Sequence, residues 1–298
     1  MAEQPLCVID VGSNTARMLV GLARRNKVVR LCYRQHTTRL ASGLSETGLL
    51  QPDRIAATVD AVRSLLSAAE SFSPARTVVV ATEAIRSASN GAEFARQLLA
   101  LTGFTARVLN WETEARLACL GALHSLTEPA DTTLFFDLGG GSLELVRALG
   151  TEIQKAVSLP VGVVRLSEGA VPPERMRAML HQGLKDVAPG MKVERLVGTA
   201  GTVTTLAAVH LGMSVYQPGM IDGTILHRSD LLEIRQRLGP LSVAERESVP
   251  GMEPGRGDLI LHGIDVVLAL MELSGIEQIV VADGGLLEGV LLDATMFH

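Results

Sequence analysis

Aromatic side chains are scarce: Phe, Tyr and Trp together make up 3% of the 298 residues. A buried core must therefore be assembled from Leu, Val, Ile and Ala. Cysteine is nearly as rare. Cys7, Cys32 and Cys119 form no C-x-x-C pair and are odd in number, which fits reduced, mostly buried thiols of a cytoplasmic protein better than a disulfide framework. A basic excess is also lacking. Lys and Arg number 27 against 32 Asp and Glu, a net charge of −5, so a bulk electrostatic grip on nucleic acid is not expected. Any polyanionic ligand must find its positive potential at a local site.

Long apolar runs are missing as well. No window supplies the ~18 uncharged apolar residues of a membrane span. Ile264–Leu273 comes nearest but contains Asp265 and Glu272 and reads as a buried helix. Met-Ala-Glu-Gln-Pro at the N-terminus does not resemble a signal peptide. The familiar nucleotide and hydrolase signatures are absent too. There is no G-x-x-x-x-G-K-[ST], no G-x-G-x-x-G after a first strand, no G-x-S-x-G and no H-E-x-x-H.

What is present is a repeated order of elements. Hydrophobic residues reach 47% and charged residues 20%, enough for a sizeable core. Leu6–Asp10, Arg17–Leu22 and Val28–Tyr33 read as a three-stranded meander, with a turn at Arg24–Lys27. A helix over Pro52–Glu70 follows, then a strand at Thr77–Ala81, a helix at Ala92–Leu101, a strand at Thr105–Leu109 and a helix at Glu112–Leu123. The order then recurs: Thr133–Asp137, Leu143–Ala148 and Ile153–Leu159 as strands, a helix at Pro173–Lys185, a strand at Arg195–Thr199 and a helix at Gly201–Leu211. Helices at Leu231–Leu238 and Gly255–Leu273, a strand at Gln278–Ala282 and a helix at Leu286–Leu292 complete the chain. A unit repeated in this way predicts two similar α/β domains, residues 1–129 and 130–298, with a cleft between them. The connection near Glu128–Asp131 is short and polar.

Four glycine-rich segments fall at strand ends. Asp10-Val-Gly-Ser-Asn-Thr15 places a carboxylate before a turn that can present backbone N–H groups and hydroxyls to a phosphate; an ordinary hairpin turn uses the same residue types. Asp137-Leu-Gly-Gly-Gly-Ser-Leu-Glu144 occupies the equivalent place in the repeat. Three successive glycines cost chain entropy and suit a backbone that approaches a ligand, and the duplication favours a phosphate site over a plain turn. Asp137 and Glu144 could jointly hold Mg²⁺. Gly198-Thr-Ala-Gly-Thr202 opens a helix, where free N–H groups make an anion site, although simple N-capping explains it equally. Ala282-Asp-Gly-Gly285 repeats the strand, acid, glycine pattern.

Six motifs in order resemble those of the exopolyphosphatase/guanosine-pentaphosphate phosphohydrolase family. They are Asp10-x-Gly-Ser-Asn-Thr-x-Arg17, Thr82-x-Ala-x-Arg86-x-Ala-x-Asn90, Glu114-Ala-Arg116, Asp137-x-Gly-Gly-Gly-Ser-x-Glu144, Ser158-Leu-Pro-x-Gly162-x-Val-Arg165-Leu and Gly198-Thr-Ala-Gly-Thr202. The resemblance spans essentially the whole chain and matches the short, two-domain form. It implies a duplicated actin-like (ribonuclease-H-like) fold with mixed five-stranded sheets. It implies removal of the terminal phosphate of inorganic polyphosphate, Mg²⁺ or Mn²⁺ as cofactor, and a possible homodimer without membrane or nucleic-acid partners.

By the same resemblance Glu114 is the base that activates water. Gly12, Ser13, Asn14, Thr15, Arg86, Gly139, Gly140, Gly141, Ser142, Gly201 and Thr202 contact phosphate. Asp137, Glu144 and Asp10 are metal-associated acids, and Arg17 and Arg256 are nucleotide or substrate contacts. From the residues alone, Glu114 reads as a favourable charge in a first helical turn, and Arg86 and Arg17 as surface charges. Near Arg256-Gly-Asp258 the family usually carries Arg-Ala-Asp, so Gly257 suggests added local flexibility. Three rival readings use the same residues: a pppGpp 5′-phosphohydrolase, an actin-like sugar or acetate kinase, and a non-catalytic nucleotide- or polyphosphate-binding module.

Overall fold

The computed structural model describes residues 4–24, 27–126, 132–150, 152–190 and 193–297. The chain forms two compact units, Met1–His124 together with Leu286–His298, and Ser125–Gly285.

The first unit begins with β1 (Leu6–Val11), β2 (Thr15–Arg24) and β3 (Lys27–Thr37), joined antiparallel in that order. Residues 25 and 26 of the expected turn lie outside the described residues. After the short α1 (Leu44–Thr47) comes α2 (Pro52–Glu70), with Pro at its first position, where the missing N–H costs nothing. Then follow β4 (Arg76–Ala81), α3 (Glu83–Ser87), α4 (Gly91–Thr102), β5 (Ala106–Val108) and α5 (Trp111–Ser125). The sheet order is β3-β2-β1-β4-β5, with β4 parallel to β1 and β5 parallel to β4. Cys7, Val8 and Ile9 on β1 are all fully buried. Successive strand residues face opposite ways, so both faces of the sheet are covered.

The second unit repeats this plan. β6 (Thr132–Leu138), β7 (Leu143–Leu149) and β8 (Glu152–Leu159) form the meander, followed by α6 (Val163–Ser167) and α7 (Pro173–Val187). Next are β9 (Arg195–Thr199), α8 (Ala200–His210), α9 (Pro218–Ile221), β10 (Ile225–His227), α10 (Arg228–Leu238), α11 (Val243–Glu247), α12 (Ile260–Ser274) and β11 (Gln278–Val281). The sheet reads β10-β11-β9-β6-β7-β8. Its five strands from β8 to β11 have the order and directions of the first sheet, which is the duplicated actin-like α/β architecture.

Several expectations need correction. The second sheet has six described strands, not five, because β10 pairs antiparallel with β11 at the edge. A strand of three residues is too short to show an alternating pattern. The helix expected from Gly255 starts at Ile260, because Gly255 takes a left-handed turn at φ +80°. The connection at residues 127–131 lies outside the described residues.

The C-terminal segment, expected with residues 130–298, packs instead on the first unit. Its helix α13 (Leu286–Leu292) lies against β1, β2 and β3. Glu288, 7% exposed, pairs with Arg30 of β3 at 2.8 Å. Asp293 pairs with Arg116 at 2.6 Å. A Cβ added at Gly289 would lie 1.8 Å from the carbonyl oxygen of Leu117, so α13 and α5 touch backbone to backbone. Amphipathic pattern reveals that α13 is buried but not which sheet buries it.

Leu286, Leu287, Val290 and Leu291 are all buried. At about 1.5–3 kcal/mol each, they amount to roughly the whole stability of a typical domain. A chain ending at Gly285 is therefore expected to lose the cooperative thermal transition of the first unit, read by circular dichroism. A melting curve matching the full chain would contradict this docking.

Candidate active site

Each unit carries one glycine turn between the first two strands of its meander, and the two turns are built alike. In the first, the Gly12 amide donates to the Thr15 carbonyl at 3.0 Å; in the second, the Gly139 amide donates to the Ser142 carbonyl at 3.0 Å. An acid is the next-to-last residue of the strand before each turn. Asp10 lies opposite Arg17, and Asp137 opposite Glu144, across the respective hairpins.

The segment that follows the third strand anchors each turn. In the first unit, Thr38 and Arg39 donate their amides to the Asn14 carbonyl at 3.0 and 2.9 Å, and Ala41 donates to the Ser13 carbonyl at 2.9 Å. In the second, Val163 and Val164 donate to the carbonyls of Gly139 and Gly140 at 3.1 and 2.9 Å, and Arg165 Nε donates to the Gly141 carbonyl at 2.7 Å. With the carbonyls tied back, the amides of Gly140 and Gly141 meet no acceptor among the described residues. Such a row of uncommitted N–H groups is an anion nest.

The carboxylates are held differently. Asp10, 1% exposed, receives Arg17 Nη2 at 2.5 Å and Nε at 3.1 Å on Oδ2, while Oδ1 is buried without a partner. Arg17 thus engages an acid expected to sit near a metal. Glu144, 2% exposed, accepts from the Ser158 hydroxyl on β8 at 2.8 Å. Asp137 is half-buried. Among the described residues no group of three or more His, Cys, Asp or Glu side chains forms a ready-made metal cage.

Glu114 stands in the first turn of α5, 9% exposed. Asn110 positions that turn, its side chain accepting from the Thr113 amide at 2.8 Å and its carbonyl accepting from the Glu114 amide at 3.0 Å. Arg86, from the last turn of α3, donates through Nη1 to the Leu109 carbonyl at 2.7 Å and to Glu114 Oε2 at 2.9 Å. Its Nη2 donates to Glu83 Oε2 at 2.6 Å. Burial by itself would lower the Arg86 guanidinium. The charge of Glu114 and its hydrogen bond, joined by those of Glu83, outweigh this and hold it above the usual arginine range. Arg86 thereby holds the Glu114 carboxylate in one orientation.

In the second unit Ala200, between Thr199 and Gly201, adopts φ +73°, a left-handed conformation costly for a residue with a Cβ. It opens α8 next to Arg256. That guanidinium, 7% exposed, occupies the space where a side chain at Gly201 would go, and its Nε donates to Glu253 at 2.5 Å. Glu253 also accepts from the Thr205 hydroxyl at 3.1 Å. The Thr199 hydroxyl donates to the carbonyls of Ala282 and Gly284 at 3.0 and 2.8 Å, joining the fourth glycine motif to β9. Within the first unit, then, Gly12–Thr15, Asp10 and Arg17 share one hairpin, and Arg86 and Glu114 form one pair. Within the second, Gly139–Ser142, Asp137 and Glu144 share one hairpin, and Gly201, Thr202 and Arg256 gather at the start of α8. Burial pushes the thiols of Cys7 and Cys119 up to about 12, which removes them as nucleophiles at neutral pH.

A family model described as the Ppx/GppA phosphatase family matches residues 23–298. The chain belongs to this family. A similar curated protein is Exopolyphosphatase 2 of Mycobacterium tuberculosis, 33% identical, with 98% of this chain and 99% of that one covered. The crystal structure of an Aquifex aeolicus Ppx/GppA family member is 31% identical, covers 97% of this chain and 96% of that one, and superposes with a TM-score of 0.79. An exopolyphosphatase-like protein at 25% identity covers 98% of both chains with a TM-score of 0.88.

Within this Ppx/GppA phosphatase, Gly257 is not a point of flexibility as its sequence context suggested. Its amide donates to Glu247 at 2.7 Å and its carbonyl accepts from Arg246 at 3.1 Å. A Cβ there would stand 2.8 Å from the Val243 carbonyl oxygen, so glycine is required by close approach. The segments Thr38–Ala41 and Val163–Arg165, and Glu83 beside Arg86, were not singled out as site residues. Only the motif around Gly162 signalled the second of these. A Cβ at Gly162 would stand 2.2 Å from the Gly140 carbonyl oxygen.

That contact predicts the effect of Gly162→Ala. The added methyl must push the triple-glycine turn off its anchor, costing about 1–3 kcal/mol of stability and the alignment of the nest. Phosphatase activity should fall at least tenfold, measured as orthophosphate release. Wild-type activity would show that the anchor is dispensable.

Proposed function

We propose that the protein is an exopolyphosphatase, hydrolysing the terminal phosphoanhydride of inorganic polyphosphate and releasing orthophosphate. The full-length likeness to Exopolyphosphatase 2 carries the substrate class, and the fixed Glu114–Arg86 pair supports the chemistry.

Phosphoryl transfer to water asks for few covalent tasks. The water must be aimed in line with the terminal phosphorus and the phosphoryl charge must be neutralised. Glu114 accepts a proton from the attacking water as its oxygen bonds to phosphorus. The bridging P–O bond breaks, orthophosphate leaves, and the chain is shorter by one unit. Arg86 keeps the Glu114 carboxylate oriented, and its remaining N–H groups can meet a phosphoryl oxygen. The amides of Gly140 and Gly141, with the Ser142 hydroxyl, are neutral donors suited to phosphoryl charge.

Mg²⁺ or Mn²⁺ fits the donors present. Asp137 and Glu144 in the second unit, and separately the unpartnered Oδ1 of Asp10 in the first, are hard oxygen ligands. Such ions need only one or two carboxylates when water and phosphate complete the shell. Bound there, the ion would neutralise phosphate charge. Three free cysteines fit a cytoplasmic setting, and no described helix is long and apolar enough to cross a membrane. Guanosine pentaphosphate offers a similar terminal anhydride. Arg17, expected as a nucleotide contact, is committed to Asp10, which favours the inorganic chain.

Orthophosphate release from long-chain polyphosphate and from pppGpp, with Mg²⁺, tests the reading. Glu114→Gln is expected to lower kcat by about 10²–10⁴ with KM changed little. Full activity in Glu114→Gln would remove its role as base. Turnover confined to pppGpp would move the substrate to the alarmone.

A further inference from the structure

We infer that Thr38 is a substrate-contacting residue, its hydroxyl hydrogen-bonding a phosphoryl oxygen at the first glycine turn. This rests on the phosphatase reading above.

The observation is a group of buried polar atoms that the folded chain does not satisfy. Thr38 is 4% exposed and Asn14 6% exposed. The Thr38 hydroxyl oxygen, both amide atoms of Asn14 and Oδ1 of Asp10 are buried and have no hydrogen-bond partner. They lie on one structural unit. Asp10 is the next-to-last residue of β1, Asn14 is in the turn, and Thr38 directly follows β3, with its amide donating to the Asn14 carbonyl at 3.0 Å. Thr15 and Thr37 are register partners on β2 and β3, which brings Thr38 beside the turn.

Buried polar groups in folded proteins are nearly always paired, and an orphan lowers stability. Several orphans on one turn are hard to account for as scattered packing faults. They are what a ligand site looks like before its ligand arrives. The chemistry of the set specifies that ligand. Asn14 Nδ2 and the Thr38 hydroxyl donate, which suits phosphoryl oxygens. Asp10 Oδ1 only accepts hydrogen bonds or ligates a cation, so its partner is the water or the metal ion that accompanies a phosphate chain. Thr38 has a further position of advantage. Its own backbone holds the turn, so its hydroxyl is placed with the same precision as the turn amides.

Other features carry less. The exposed stripe Val29, Leu31 and Tyr33 on edge strand β3 has nothing to identify what covers it.

Thr38→Val keeps the shape and removes the hydroxyl. If the hydroxyl serves substrate, the variant trades function for stability. The expected result is a kcat/KM for polyphosphate roughly 10- to 100-fold lower, with the melting temperature of the free protein unchanged or raised by about 2 °C. Thr38→Ser, which retains the hydroxyl, should keep most of the activity. Binding of tripolyphosphate in Mg²⁺ buffer, measured by calorimetry, should weaken in Thr38→Val by a similar factor. Activity and binding of Thr38→Val within twofold of wild type would overturn the proposal. So would a lowered melting temperature with activity that Thr38→Ser fails to restore, since that pattern belongs to a structural hydroxyl. A wild type that binds tripolyphosphate without hydrolysing it, with weaker binding in Thr38→Val, would sink the exopolyphosphatase reading and still support the contact. Absence of any binding would overturn both.

Discussion

Both glycine turns depend on the same interaction: backbone amides from the segment after the third strand take up the turn's carbonyl oxygens. In the first unit the donors are Thr38, Arg39 and Ala41; in the second they are Val163 and Val164, with the Arg165 side chain. A glycine-rich loop left to itself would sample many conformations. With its carbonyls engaged, the loop's N–H groups are held in one arrangement before any anion arrives. That preorganisation is the main source of catalysis available to a phosphatase, since the donors need not reorient when charge develops. Burial elsewhere in each sheet serves to keep the meander, and with it the anchor, in place.

The acidic side chains are treated according to their task. Glu114 is buried but paired with Arg86, which is itself shared with Glu83. A carboxylate in such a pair is held pointed, as a proton acceptor must be. Asp10 is tied through one oxygen and left open at the other. Glu144 leans on the Ser158 hydroxyl. The strained Ala200 and the buried Arg256 at the start of α8 add a second place where local cost is tolerated.

Much of the architecture was legible in the sequence. Asp10–Thr15 and Asp137–Glu144 stand at equivalent points of the repeat, and the meander strands follow directly from short apolar runs. The short elements β10 and α6 escaped because neither helical nor strand periodicity develops over so few positions. The docking of α13 on the first unit escaped because a buried helix advertises its apolarity and not its partner. Among site residues, Glu114 looked like any acid in a first helical turn, and only the ordered set of motifs distinguished it. Thr38 and Glu83 left no trace, since a threonine after a strand and a glutamate at a helix start are ordinary choices. Their meaning lies in an orphaned hydroxyl and a shared guanidinium, which exist only once the chain is folded.

The most direct test of the anchored-turn account is amide NMR of ¹⁵N-labelled Glu114→Gln protein titrated with tripolyphosphate in Mg²⁺ buffer. Preorganised nests predict large downfield shifts of the Ser13, Asn14, Gly140 and Gly141 amides, with little change at their anchors Ala41, Val163 and Val164. Saturable binding that leaves those turn amides unshifted would contradict the account.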